Sequence, residues 1–232
     1  MSTQLQNNPV EISKVALFQQ MPVTQLQELT PLLHRKSFAA GTAMMTAEQA
    51  GEVVYLIQSG TVKVCAESHD GSEVILTILG PGEIVGEMSA LDQPMRSASV
   101  VTLEKTDVLW IDRASFHRCL LTMPRFAYNL ACILSARLRM ADDQIRSLAR
   151  LEVENRVARQ LMSFADRYGQ SQPNGDTHIP IRLTQGDIAA LIGASREHIN
   201  KVIVAYKERG YLSVDRQYHI TIHHPQALAK RC

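Results

Sequence analysis

Seven apolar residues, Ala127, Ala131, Leu134, Leu138, Ala141, Ile145 and Leu148, follow one another at spacings that alternate between four and three. This is an a/d seam sustained for about three heptads, and a helix that carries one presents it to another helix. Pairing with its own copy in a parallel dimer is one reading; a single helix lying on its own neighbouring domain is the other. Leu130 and Ile133 supply a second apolar face, so the spacing predicts both contacts together.

Before this rod the period is different. From Glu11 to Leu33 apolar residues recur at helical spacing and Pro22 divides them into two short helices. Between Phe38 and Asp112 come short β-type runs: Val53 to Ile57, Val62 to Ala66, Val74 to Leu79, Ala98 to Leu103 and Val108 to Asp112. Gln58-Ser59-Gly60, His69-Asp70-Gly71 and Gly80-Pro81-Gly82 separate them at about the 8–12 residue rhythm of a sandwich or barrel. A small antiparallel β-roll of the jelly-roll (double-stranded β-helix) kind is expected here.

After the rod, Gly169 to Gly175 forms a turn-rich connector and Ile179 to Leu183 a short strand. Thr184 is placed to cap a helix with Asp187 three residues on, and Gly193 to end it; Ser195 caps a second helix that runs through Ile199, Val202, Ile203 and Tyr206 to Gly210. Two short helices joined by a tight glycine turn form a helix-turn-helix. Tyr211 to Val214 and Tyr218 to Ile222 then read as a hairpin wing. The expected class is α+β, with domains over residues 1–120 (β-roll with N-terminal helices), 121–165 (dimerisation helix and hinge) and 166–232 (winged helix-turn-helix).

Charge follows this division. The chain of 232 residues has a formal net charge of +1, yet residues 1–120 carry 8 basic and 13 acidic side chains while residues 121–232 carry 16 and 10. The basic half is suited to a polyanion and the acidic half is not. No run approaches the ~18 apolar residues of a membrane span, and no basic stretch followed by an apolar one opens the chain, so a cytoplasmic protein without a membrane partner is expected. Cys65, Cys119, Cys132 and Cys232 form no C-x-x-C pair, which favours reduced thiols over a disulfide frame or thiolate metal site. The glycines at 80, 82 and 86 lack the Gly-Lys-Ser/Thr ending of a triphosphate loop, His223-His224 lacks further ligands at metal spacing, and neither His-Glu-x-x-His nor Gly-x-Ser-x-Gly occurs. No enzymatic activity and no metal are expected.

One constellation carries chemistry in the acidic half. Gly86-Glu87-Met88-Ser89 is followed, past Pro94, by Arg96-Ser97-Ala98. A glycine admits a ligand close to the backbone, a glutamate accepts from a ribose hydroxyl, and an arginine beside a serine offers a charged fork and a hydroxyl to a phosphate. The spacing suits a small anionic nucleotide; alternatively Glu87 and Arg96 simply pair across a loop.

This cassette inside a β-roll, then a long dimer helix, then Ser195-Arg196-Glu197 opening a second short helix, resembles the cyclic AMP receptor protein and FNR superfamily of bacterial transcription regulators over nearly the whole chain. The resemblance implies that Gly86 and Glu87 face the ribose, Arg96 and Ser97 the cyclic phosphate, with Met88 and Ala98 beside them and Leu76 and Thr77 lining the same pocket. At the positions where the family's cyclic AMP binders place adjacent Thr and Ser toward adenine, this chain has Ala141 and Asp142, with Asp143 next to them. An ionised carboxylate only accepts hydrogen bonds. Guanine offers it N1–H and N2 together whereas adenine offers one amine, which favours cyclic GMP or cyclic di-GMP over cyclic AMP; Arg137 and Arg139 are available to a second phosphate. If Asp142 is instead exposed, or paired with Arg139 or Arg146, it says nothing about the base. The absence of cysteines before Cys65 and the intact cassette argue against iron–sulfur and haem sensing.

Ser195, Arg196, Glu197, His198, Asn200 and Lys201 lie at the N-terminal end of the second helix, where a recognition helix reaches base edges. Arg and Lys donate to guanine and Glu accepts from cytosine, so Arg196, Glu197 and Lys201 suit G·C-containing half-sites. In the family such a set reads sequences resembling TGTGA, though Lys201 replaces the usual arginine. Thr184, Gln185, Ser195, His198 and Arg216 are placed for phosphates. The expected protein is a homodimeric, effector-responsive regulator on a pseudo-palindromic duplex, with RNA polymerase as a further partner. The rivals are a ligand-independent regulator and a nucleotide-binding signal protein with a vestigial DNA domain.

Overall fold

The structure, a computed structural model, describes residues 12, 15–67, 73–92 and 95–232. Glu11, the His69-Asp70-Gly71 turn and Pro94 lie outside them. The chain divides into two compact units, one of Met1–Val64 with Leu79–Met140 and one of Cys65–Ile78 with Ala141–Cys232.

The expected β-roll is built from eight strands: β1 His34–Phe38, β2 Ala43–Met45, β3 Val53–Ser59, β4 Val62–Glu67, β5 Glu73–Leu79, β6 Ile84–Val85, β7 Ser99–Thr102 and β8 Thr106–Asp112. They form two four-stranded sheets, in the orders β1-β8-β3-β6 and β2-β7-β4-β5. β3 and β8 pair antiparallel with Val54 opposite Ile111 and Leu56 opposite Leu109. Their apolar runs are continuous because both faces are covered, and successive side chains point opposite ways. Val54, Leu56, Leu109 and Ile111 meet the helical core, whereas Tyr55, Ile57 and Val108 belong to a second cluster with Phe38, Met45, Val62, Val85 and Val100. β1 gave no apolar signal, since four of its five residues are exposed.

The helical core of the first unit gathers α1 (Val23–Leu29), α2 (Glu87–Leu91), α3 (Arg113–Thr122) and the start of α4 (Pro124–Arg150). Pro22 breaks the N-terminal run as expected, although Ala16–Phe18 and Thr30–Leu32 are single 3-10 turns. Asp112 caps α3, its carboxylate accepting from the Ser115 amide at 2.9 Å. Phe126 and Leu130 of α4 are fully buried, with Phe126 edge-on to Phe116, and Ile133 and Leu134 pack partly against the same core. Leu134, counted in the heptad seam, thus serves its own unit. Leu138 and Ile145 are each 65% exposed in the single chain.

In the second unit, α5 (Val153–Tyr168) buries Val157, Ala158, Leu161 and Phe164. The helix-turn-helix is α6 (Gln185–Ile192) and α7 (Arg196–Glu208), followed by α8 (Pro225–Ala229). β9 (Gln170–Ser171), β10 (Thr177–Ile179), β11 (Leu212–Val214) and β12 (Ile220–Ile222) make a sheet in the order β11-β12-β10-β9. The strand expected over Ile179 to Leu183 ends at Ile179, because Pro180 has no amide for a ladder. Ile181 and Leu183 are still buried, and the Leu183 amide donates to the Tyr218 carbonyl at 3.0 Å. Tyr206 of α7 is wholly buried and donates to the Glu154 carbonyl at 2.9 Å; burial pushes its phenol up to about 12. Among the described residues no single helix is long and apolar enough to cross a membrane.

Candidate functional site

In the first unit the cassette hangs from the end of β6. Gly86 turns the chain from that strand into α2 with φ +86, in the left-handed region that side chains disfavour. A Cβ there would lie 2.5 Å from Arg96 Nη1 and from Met45 Cε, and 2.9 Å from the Val53 carbonyl oxygen. Glycine is therefore demanded twice, by the turn and by the close approach of Arg96.

Arg96 is only 7% exposed. Its Nη1 donates to the Gly86 carbonyl at 3.0 Å and to Ser89 Oγ at 2.7 Å, and its Nη2 to the Val53 carbonyl at 2.6 Å. A guanidinium has five N–H hydrogens. Three are used in this way, and two, on Nε and Nη2, make no hydrogen bond among the described residues. Burial pushes the guanidinium down from the ordinary arginine range, against the opposing pull of Tyr55, Glu87 and Glu52; the group remains a cation. The buried Ser89 hydroxyl also faces the Gly86 carbonyl at 3.3 Å, and Gly51 leaves it room, since a Cβ at Gly51 would collide with it.

Glu87 does not pair with Arg96 as the loop alternative supposed. It is buried and bound to Arg137 of α4, with Arg137 Nη1 donating to Glu87 Oε1 at 2.7 Å. Arg137 Nη2 donates to Glu83 Oε2 at 3.1 Å and to the Ile84 carbonyl at 2.5 Å. Gly86, Glu87, Arg96 and Arg137 thus come together, while Met88 and Ser97 are exposed and Ala98 is half-buried. Ser89 and Glu83 complete the cluster without having been assigned a role from the sequence. For Ser89 the signal was its place two residues after Glu87; for Glu83 there was none.

Leu76, Thr77, Ala141 and Asp142 belong to the second unit. Leu76 and Ala141 line a groove of about 540 Å³ there, with Gln144, Ile145, Leu148 and Leu191. Thr77 is half-buried and Asp142 is exposed. Arg146 bonds to the Asp142 carbonyl at 3.4 Å, while its charge pairs with Asp143 at 3.1 Å; Arg159 lies 3.5 Å from the same Asp143 carboxylate. Of the alternatives in which Asp142 says nothing about the base, the structure shows the exposed one; pairing with Arg139 or Arg146 does not form. Among the described residues no cluster of three or more His, Cys, Asp or Glu is arranged to hold a metal ion.

The helix-turn-helix is capped as its sequence requires. Thr184 Oγ1 accepts from the Asp187 amide at 3.1 Å and Asp187 returns the bond to the Thr184 amide at 3.0 Å, the shorter acid closing a full capping box. Gly193 ends α6 at φ +64, and Ser195 caps α7 by accepting from the His198 amide at 3.2 Å. Ile199, Val202, Ile203 and Tyr206 face inward, which turns Arg196, Glu197, His198, Asn200 and Lys201 outward. Lys201 pairs with Glu197 at 2.9 Å on this solvated face. Gln185 Nε2 donates to Asn200 Oδ1 at 2.9 Å and ties the start of α6 to α7. In the wing the Asp215 carboxylate accepts from the Gln217 and His219 amides at 2.8 and 2.9 Å, presenting Arg216 to solvent.

Residues 35–123 match the cyclic nucleotide-binding domain family and residues 155–231 the Crp-like helix-turn-helix domain family. The CRP-like cAMP-activated global transcriptional regulator of Mycobacterium tuberculosis is 31% identical over 220 residues, covering 95% of this chain and 97% of its own. This chain belongs to the cyclic AMP receptor protein and FNR family of transcription regulators. Another member of that family, the cyclic AMP receptor protein of Thermus thermophilus, is 36% identical over 177 residues, 76% of this chain and 78% of its own. Among solved structures, the c-di-GMP responsive global regulator CLP of Xanthomonas campestris has a TM-score of 0.69 at 25% identity over 87% of this chain and 99% of its own. FixK2 of Bradyrhizobium japonicum shares the fold with a TM-score of 0.75 at 21% identity, over 85% of this chain and 96% of its own.

Proposed function

We propose that this regulator binds DNA as a homodimer whose two recognition helices are repositioned when a cyclic nucleotide enters the roll. The observation that carries the effector reading is Arg96: a cation buried against Gly86, with three N–H groups fixed by the protein and two spare, is a prepared anion fork. Arg96 and Ser97 would hold the cyclic phosphate and Glu87 a ribose hydroxyl, with Gly86, Met88, Ala98 and Arg137 around them. The bound nucleotide contributes negative charge and hydroxyl donors. It acts on DNA binding only if its affinity differs between two arrangements of the protein.

Three cyclic nucleotides are candidates. The case for cyclic GMP or cyclic di-GMP rests on the acceptor-only carboxylate of Asp142, which is exposed in the single chain and so does not choose the base. The names of the relatives from Mycobacterium tuberculosis and Thermus thermophilus favour cyclic AMP. Calorimetry with all three nucleotides ranks them, and Arg96→Ala should abolish binding of each while leaving the oligomer intact. Unchanged affinity in that variant would refute the assignment of the cassette.

On DNA, Arg196, Glu197 and Lys201, with Asn200 beside them, are assigned to base edges of a pseudo-palindrome, and Thr184, Gln185, Ser195, His198 and Arg216 to its phosphates. The outward presentation of α7 between two capped ends supports this. A gel shift with random promoter fragments, with and without nucleotide, tests it against the ligand-independent and vestigial alternatives. RNA polymerase would be the partner downstream, in the cytoplasm.

A further inference from the structure

We infer that Arg137 is shared between its own effector cassette and the partner subunit's Asp142, so that one guanidinium links nucleotide occupancy to the dimer seam. The inference rests on the homodimer reading and is independent of which base is bound.

The register of α4 leads to it. With Ala131, Leu138 and Ile145 at a, and Ala127, Leu134, Ala141 and Leu148 at d, the flanking g positions are Leu130, Arg137 and Gln144, and the e positions five residues on are Ser135, Asp142 and Ala149. In a parallel pair each g side chain faces the e residue five positions further along the other helix. Of the three pairs this seam offers, only Arg137 with the partner subunit's Asp142 is ionic, and twofold symmetry makes it twice. Its neighbours on the seam, Leu138 and Ile145, are the residues left 65% exposed in the single chain.

Both ends of the pair are available. Asp142 is exposed and has no ion-pair partner among the described residues, since Arg146 and Arg159 both turn to Asp143. Arg137 uses one Nη1 hydrogen on Glu87 and both Nη2 hydrogens on Glu83 and the Ile84 carbonyl, which leaves the Nε hydrogen, buried without a partner, and the second Nη1 hydrogen. Nη1 is also the nitrogen that Glu87 holds. When Glu87 turns to a ribose hydroxyl, Arg137 loses a carboxylate within its own chain and the partner subunit's Asp142 becomes its replacement. Cassette and seam are coupled through a side chain, with no contact between ligand and partner required.

The dimer dissociation constant, measured by analytical ultracentrifugation of the full chain with and without cyclic AMP, cyclic GMP or cyclic di-GMP, tests this. Asp142→Asn should weaken the dimer roughly 2- to 30-fold, as expected for two solvated ion pairs, and more with the nucleotide that binds than without. The loss should vanish when Arg137→Gln is already present, and the salt dependence of dimerisation should be shallower in Asp142→Asn than in wild type, a readout that needs no change at Arg137. An unchanged dimer constant, or an equal loss in the Arg137→Gln background, would overturn the inference. So would an Asp142→Asn variant that keeps its dimer but selectively loses guanine nucleotides, because Asp142 would then be reading the base. Leu138→Asp separates the two levels: if it leaves the dimer intact, the α4 seam is wrong and this inference falls while the homodimer stands, whereas a wild-type chain that is monomeric at DNA-binding concentrations refutes the homodimer reading itself.

Discussion

Two glycines with nearly the same backbone give the sharpest test of the cassette. Gly82 and Gly86 have φ of +88 and +86, so an alanine at either pays the same left-handed penalty, about 1–2 kcal/mol. Their surroundings differ. A Cβ at Gly82 meets nothing within 4 Å, whereas one at Gly86 lies 2.5 Å from Arg96 Nη1 and Met45 Cε and 2.9 Å from the Val53 carbonyl oxygen. Met45 can swing aside, but the carbonyl is backbone and the guanidinium is anchored, so overpacking should add about 1–3 kcal/mol at Gly86 alone. Urea unfolding should therefore show Gly82→Ala as mildly destabilised and Gly86→Ala lower by that further amount. Because the clash displaces a charge-assisted hydrogen bond of Arg96, calorimetry should show nucleotide affinity falling about 10- to 100-fold in Gly86→Ala and holding in Gly82→Ala. Equal stability losses, or equal affinities, would refute the idea that close packing of Gly86 on Arg96 builds the site.

Other expectations follow from single residues. Arg196→Ala should cost ~1–3 kcal/mol on the preferred DNA sequence and relax one base preference in a binding selection; a uniform loss on all sequences would make Arg196 a phosphate contact instead. Thr184→Ala removes the side-chain half of the capping box on α6 and should lower the stability of the second unit by about 1 kcal/mol, read by chemical unfolding. The Ser115 amide, bonding to Asp112, holds that carboxyl below the usual carboxylate range. Its stabilisation is thus complete above the unfolded value near ~4 and is lost as pH falls through the lower folded value. Asp112→Ala should cost about 1 kcal/mol at neutral pH and progressively less below about pH 4, in parallel unfolding curves. A penalty independent of pH would mean the cap does not depend on the ionised carboxylate.

Much of the architecture was legible because it is written in local periods. The runs at Val53, Val62, Val74 and Val108 appear as strands within a residue or two at most ends, and the caps at Thr184, Gly193 and Ser195 fall where their residue types demand. Strands without an apolar period stayed hidden: β1 is mostly exposed, and β6 and β9 have two residues each. Pro180 ends β10 at Ile179 because a proline has no amide to donate to the ladder.

The sequence by itself determined which chemistry was present: a glycine, a glutamate and an arginine in one cassette, a seam of seven apolar residues, and a helix opening on Ser195-Arg196-Glu197. Only the tertiary structure decided who holds whom. Arg96 is fixed by a carbonyl 43 residues away and Glu87 by an arginine 50 residues away. Every residue carries a carbonyl, so no letter marks Val53 as an acceptor, and several arginines could have met Glu87 until the roll and α4 folded together. Local periodicity is encoded in neighbours along the chain; partnership in a buried site depends on closing long loops, and the fold alone selects which ones close.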